Sequence, residues 1–181
     1  IGHPTPRGMR RRGLAFTPED RKSQGLVQIL SIRDNLCHAC LDRVSPGGFV
    51  DLKLEAEYAD RQVSALQIKT SGMDLPMTSL SGGNQQKVVL AKILATESRL
   101  LIFDEPTRGI DVGARQEIYR LMCDLAAKGH GIMMITSDME ELLGMSDRIA
   151  VLAEGRLMGI LESDQFSQTR ILELASGISA Y

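Results

Sequence analysis

Apolar residues along this chain fall into two periods, and each period predicts its own kind of element. Short apolar runs bounded by turn residues predict strands at 13–17 (GLAFT, closed by Pro18), 100–103 (LLIF) and 132–136 (IMMIT), with the last two reading as buried strands. Spacing of three and four predicts a helix over 26–40, carried by Ile29, Ile32, Leu36 and Cys40, and another over 55–68, carried by Tyr58, Val63 and Leu66. A largely apolar helix starts at Ser81 and ends near Glu97, with Val88, Val89, Ala91, Ile93, Leu94 and Ala95. Residues 114–127 place Ile118, Leu121, Met122 and Leu125 on one helical face, and Lys128 and Gly129 suit its C-terminus. A short helix over 139–144, a hairpin of 148–153 and 156–161 joined through Glu154-Gly155, and a closing helix over 164–175 complete the series. Buried strands alternating with helices imply an α/β fold with a mainly parallel sheet covered by helices. No strand is legible before Gly13.

Length and composition narrow the class. The 181 residues suit one domain. With 43% hydrophobic and 24% charged residues, they describe an ordinary globular protein. A net charge of −2, from 21 Lys and Arg against 23 Asp and Glu, argues against a nucleic-acid coat. No apolar run approaches the roughly 20 residues of a bilayer span, and Ile1-Gly2-His3-Pro4 does not open a signal peptide. Three cysteines make no disulfide framework, so the default compartment is reducing and cytoplasmic.

Two clusters carry chemistry. Leu80-Ser81-Gly82-Gly83-Asn84-Gln85-Gln86-Lys87 stands directly before a helix. Ser81 is a good N-cap, and two glycines leave the first-turn amides bare at the positive end of the helix dipole, an arrangement that suits phosphate. The plainer alternative is a Ser-capped helix after a flexible turn. The second cluster is the adjacent carboxylate pair Asp104 and Glu105, where the hydrophobic strand emerges. One carboxylate can hold Mg²⁺ and the other can orient and deprotonate a water. The plainer alternative is an acidic strand end.

In this order the two clusters resemble the ATP-binding-cassette (ABC) ATPases. LSGGNQQK is similar to the family signature, LLIFDE to Walker B, and Gly109-Ile110-Asp111 to the D-loop, while the switch loop falls at Thr136-Ser137-Asp138. Pro18-Glu19-Asp20-Arg21-Lys22, EPTRGIDVGAR and MSDRIAVLAEG narrow the resemblance to the second cassette of double-cassette sugar importers of the ribose, galactose and arabinose type. It covers most of 13–161. It implies a P-loop NTPase-like parallel sheet with a helical subdomain at about 36–94 carrying the signature, followed by Walker B through the hairpin at about 99–161.

The resemblance also assigns roles. Ser81, Gly82, Gly83 and Gln85 touch ATP held by a partner cassette. Asp104, as the Mg²⁺ ligand, and Glu105, as the catalytic carboxylate, serve this cassette's own site, with Asp111 in the D-loop. Glu19 takes the Q-loop glutamine position and Ser137 that of the switch histidine. Implied partners are a second cassette, membrane-spanning permease subunits and, indirectly, a sugar-binding protein outside the membrane, with no nucleic acid. The implied location is peripheral, on the cytoplasmic face.

Three departures from the family pattern bear on mechanism. The chain has no Gly-Lys dipeptide, hence no G-x-x-x-x-G-K-[ST] loop, and the resemblance implies a cassette truncated at its N-terminus. Ser137 has neither the reach nor the charge of an imidazolium. Glu19 brings an anion to the Q-loop position. The expected result is an asymmetric pair in which the α-helix behind Ser81 completes the competent site elsewhere and the site on Asp104 and Glu105 is weak. The chain alone is expected to show no ATP turnover and to leave the flanks of LLIF and IMMIT partly unpaired.

Two rival readings stay open: a non-catalytic docking module, and a DNA-repair or chromosome-structure ATPase, which would bring a coiled coil and a switch histidine. Other signals have plain explanations. Cys37-His38-Ala39-Cys40 lacks a second ligand pair for zinc. Arg7–Arg12 reads as a solvated basic run, and the nine methionines as packing. Asp111 doubles as an N-cap, and Arg108 has phosphate or a neighbouring subunit within its expected reach.

Overall fold

The computed structural model describes residues 3–177. The chain divides into two compact units between Ile135 and Thr136.

The first unit is built on three parallel strands, β1 (Leu14–Thr17), β2 (Leu100–Asp104) and β3 (Gly131–Ile135), in the order β1-β2-β3. The register sets Ala15, Leu101 and Ile132 side by side, then Phe16, Ile102 and Met133, then Thr17, Phe103 and Met134. Alternation sends Ala15, Thr17, Leu101 and Phe103 into the interior. The other face stays open, with Phe16 48%, Met133 49% and Ile135 43% exposed. The expectation of a buried IMMIT strand is therefore corrected. β3 alternates between half-buried and exposed because helices cover only one face among the described residues. The expected open flanks are corrected in part. β2, which carries LLIF, is central and paired on both sides, whereas β3, which carries IMMIT, is an edge strand among the described residues, as β1 is on the other side.

Helices α1 (Pro6–Arg11), α2 (Ile32–Cys37), α3 (Leu41–Val44), α4 (Leu52–Ala65), α5 (Gly82–Leu94) and α6 (Val112–Ala127) belong to this unit. The basic run is thus a helix, with Thr5 as N-cap and Pro6 in its first turn, and Arg10 donates to the Ala39 carbonyl at 2.8 Å. The helix expected over 26–40 begins only at Ile32, because Ser31 and Asp34 form a capping box. Ahead of it, buried Asn35 accepts from Val27 N and donates to Val27 O, both at 2.9 Å, which holds 26–30 as a loop and leaves Ile29 88% exposed. Ile32, Leu36, Cys37, Cys40, Val44, Tyr58, Ala59, Met77, Val88 and Val89 share one core. Cys37 and Cys40 are buried free thiols whose Sγ–H groups donate to the carbonyls of Glu55 and Cys37.

α4 and α6 stop for the same reason. At the end of α4, Gln67 takes a left-handed φ of 51°, with its N–H on Ser64 O and Ile68 N–H on Val63 O. After α6, Gly129 at φ 90° repeats that geometry, with bonds to Ala126 O and from His130 N to Leu125 O.

The second unit holds α7 (Met139–Met145), the antiparallel pair β4 (Arg148–Ala153) and β5 (Arg156–Glu162), and α8 (Gln168–Ala175). Glu154 and Gly155 both have positive φ, 50° and 74°, the two-residue turn whose twist matches a hairpin. Ile149, Val151, Leu161 and Ile171 form its core. α8 starts later than the expected 164, because Ser167 accepts from Arg170 N as N-cap. Among the described residues no helix is long and apolar enough to cross a membrane.

Candidate functional site

β2 delivers Asp104 in strand register, facing Ile135 of β3 across the ladder. The next residue leaves the strand. Glu105 has a left-handed φ of 46°, and its N–H donates to the Ile135 carbonyl at 2.8 Å. A non-glycine residue in this region costs about 1 kcal/mol or more, and such strain gathers at functional positions. The turn breaks strand alternation between the two half-buried carboxylates. The loop then tightens, Arg108 N to Glu105 O at 3.1 Å and Ile110 N to Thr107 O at 3.2 Å, and Gly109 at φ 66° redirects it. It closes on Asp111, whose Oδ1 accepts from Ala114 N at 2.9 Å and caps α6, as expected. Asp104, Glu105 and Asp111 therefore bracket one short loop.

That loop lies against the start of α5. Ser81 is the N-cap, accepting from Asn84 N at 3.4 Å and from the Asn84 side-chain amide at 2.9 Å. The glycine pair has a packing role that sequence reasoning did not assign. A Cβ on Gly82 would lie 2.9 Å from Arg21 Nη2 and 3.1 Å from the Gly109 carbonyl oxygen, and one on Gly83 would lie 2.5 Å from Ala114 Cβ. The absence of Cβ atoms lets the first turn of α5 meet the loop and the start of α6. Gln85 points inward: it is 5% exposed, and its Nε2 donates to the carbonyls of Met77 and Leu80 at 3.1 and 3.2 Å. It ties down the segment that leads into the helix.

Glu19 is ion-paired with Arg108. The neighbouring Asp20 caps the wide helical turn Arg21–Gly25, accepting from Lys22 N, Ser23 N and Ser23 Oγ, and these hydrogen bonds lower its pKa. Sequence reasoning missed two more participants. Arg21 donates to the carbonyls of Arg108 and Gly109. Lys87, its side chain 4% exposed, reaches Glu117 at 2.8 Å and Gln67 O at 3.0 Å. The helical spacing of Lys87, one turn after Gly83, was the signal for the second. Arg21 stands in the Pro18–Lys22 motif, but nothing in the sequence showed that it reaches the carbonyls of Arg108 and Gly109.

A Mg²⁺ ion asks for hard oxygen donors, usually one or two carboxylates beside phosphate. The half-buried Asp104 carboxylate at a strand end fits that demand. Glu19 is already paired to a guanidinium and does not present a free carboxylate. Among the described residues no group of three or more His, Cys, Asp or Glu could hold a metal by itself.

Ser137 belongs to the second unit. It is exposed, between Thr136, whose hydroxyl donates to the buried Glu141 carboxylate, and Asp138, which caps α7 by accepting from Glu140 N and Glu141 N at 3.0 and 3.2 Å.

Comparison with known proteins follows the same outline. A family model described as ABC transporter matches residues 3–108. The ribose import ATP-binding protein RbsA 2 of Rubrobacter xylanophilus is 48% identical over 174 residues, which is 96% of this chain and 34% of that protein. The xylose import ATP-binding protein XylG of Pseudomonas fluorescens is 48% identical over 178 residues, again 96% and 34%. The chain spans about a third of the length of these curated relatives. Among solved structures, a dimeric ATP-binding cassette in a post-hydrolysis state with ADP and Pi superposes with a TM-score of 0.71 at 19% identity, covering 91% of this chain and 70% of that one. A likeness at that identity speaks for the fold alone.

Proposed function

We propose, from the premise that this chain belongs to the ABC transporter family, that it is part of the ATP-hydrolysing subunit of a sugar importer. The observation that carries this reading is the packing of the 105–111 loop on the first turn of α5, which makes the carboxylate strand end and the glycine-started helix neighbours. The sugar assignment is supported by the ribose and xylose import relatives.

In this reading the N-terminus of α5, with Ser81, Gly82 and Gly83, faces the triphosphate of ATP held by a partner cassette, where helix amides and dipole favour the anion. Gln85 acts from behind, by fixing the segment before the helix. Asp104 would hold Mg²⁺, whose chemistry there is to neutralise charge developing on phosphoryl oxygens. Glu105, set apart from Asp104 by its left-handed backbone, orients the attacking water and accepts its proton. Asp111 fixes the loop to α6. Ser137 takes the place of a cation without supplying charge, and Glu19 spends its charge on Arg108. The subunit works on the cytoplasmic face against permease subunits, with a sugar-binding protein upstream. The segment 36–94 acts as the helical subdomain that transmits closure and reopening.

The test is a pair of substitutions in the assembled transporter. Ser81→Arg is expected to abolish transport. Glu105→Gln is expected to cost far less than the roughly hundred- to thousandfold, about 3–4 kcal/mol, that loss of a preorganised catalytic group brings at a competent site. Equal and complete loss from both would refute the asymmetry. A second reading, a cassette that only presents α5 and hydrolyses nothing itself, is favoured by Ser137 and by the Glu19–Arg108 pair. It predicts no effect at all from Glu105→Gln. DNA-stimulated ATP turnover would instead revive the repair-type alternative.

A further inference from the structure

Arg21 opens the turn Arg21–Gly25, and its guanidinium spans two successive carbonyls. Nη1 donates to Arg108 O at 2.6 Å and Nη2 to Gly109 O at 3.1 Å. The same Nη2 fills the space over Gly82, 2.9 Å from where a Cβ would stand. Nε is buried without a hydrogen-bond partner, and burial lowers the guanidinium pKa, so the group sits there against a desolvation cost. The offset comes from charge-assisted bonds that a planar fork can make to both carbonyls at once and a point-charge ammonium cannot. Two residues upstream, Glu19 pairs with the Arg108 side chain. The 19–21 segment therefore grips Arg108 twice, by side chain and by main chain.

We infer that Arg21 is a positioning residue that locks the 105–111 loop and the first turn of α5 into one body. The two segments lie over twenty residues apart in sequence, with α5 and β2 between them, and the guanidinium bridges their contact. The consequence for turnover rests on the function proposed above, in which that loop carries Glu105 and that turn meets a triphosphate. The mechanical linkage itself does not depend on it.

Amide hydrogen exchange on the full chain tests the linkage. Four hydrogen-bonded amides report it: Arg108 and Ile110 in the loop, Asn84 and Gln85 at the start of α5. In Arg21→Lys and Arg21→Ala, exchange at both pairs is expected to rise together by about tenfold or more, while α4 and the hairpin keep their rates. Gly82→Ala, whose added methyl would stand 2.9 Å from Nη2 and 3.1 Å from the Gly109 carbonyl oxygen, is expected to raise exchange at both pairs in the same way and serves if the Arg21 variants fold poorly. Unchanged exchange, a rise at one pair only, or full protection in Arg21→Lys would overturn the inference. In the ATP-hydrolysing assembly, the same lysine variant is expected to lower kcat about tenfold with KM for ATP shifted less than about twofold. An effect confined to KM would also overturn it. An assembly that never hydrolyses ATP in its unaltered form counts against the proposed function, and the exchange rates still decide this inference.

Discussion

Gly83 and Ala114 meet where α5 crosses the start of α6, so closely that a Cβ on the glycine would lie 2.5 Å from the alanine Cβ. No pair of real Cβ atoms tolerates that distance, so the glycine is required by packing whatever it does for a ligand.

Gly83→Ala is therefore expected to destabilise the fold. Overpacking costs about 1–3 kcal/mol, against a helix-propensity gain of at most about 1 kcal/mol. Ala114→Gly in the double variant should restore most of the loss, with a coupling of about 1 kcal/mol or more in a urea-unfolding cycle. Strictly additive single effects would show that the two residues do not touch.

The Lys87–Glu117 pair makes a pH prediction. The hydrogen bond from Lys87, aided by its charge, holds the Glu117 carboxyl below the usual glutamate pKa. A depressed folded pKa means that the contribution is complete above the unfolded value, about 4.3, and is lost as pH falls through it toward the folded value. Urea midpoints measured from pH 6.5 down to 3.5 should fall more steeply for the wild-type chain than for Glu117→Gln. Parallel curves would remove the linkage.

Thiol chemistry separates the three cysteines. Burial pushes the Cys37 thiol up to about 12 and raises Cys40, whereas Cys123 is exposed. At pH 8 a thiol reagent should titrate one cysteine in the folded chain and three after unfolding. The sign for stability follows: the raised pKa contributes fully below the unfolded thiol value, about 8.5, and that contribution is lost as pH climbs toward about 12. Rapid native labelling of more than one cysteine would contradict the buried placement.

Much of the architecture was legible from pattern. The three strands, the Glu154-Gly155 hairpin and α6 with its Asp111 cap all lie where periodicity and turn chemistry put them. The misplaced helix starts had local causes. Ser31-x-x-Asp34 is a capping signal inside an apolar pattern that runs on through Ile29, so spacing alone carries the helix past the cap that starts it. Thr5-Pro6 likewise starts a helix beneath a run of arginines that reads as solvated charge. In the site, Asp104 and Glu105 were evident as carboxylates at a strand end. That Glu105 would turn left-handed was not, because the cause is a hydrogen bond to Ile135, thirty residues away.

The sequence alone determined the periods, the caps and the order of the motifs, because these depend on residues within a turn or two of each other. From that order the family resemblance followed. Tertiary structure decided which charges are already engaged, Glu19 on Arg108 and Lys87 on Glu117, and which glycines are needed for contact. It also decided that β2 lies between β1 and β3, with one sheet face left exposed among the described residues. The physical reason is range: hydrophobic period and capping act along the chain, whereas ion pairing, desolvation and close approach depend on which segments the fold brings within a few ångströms.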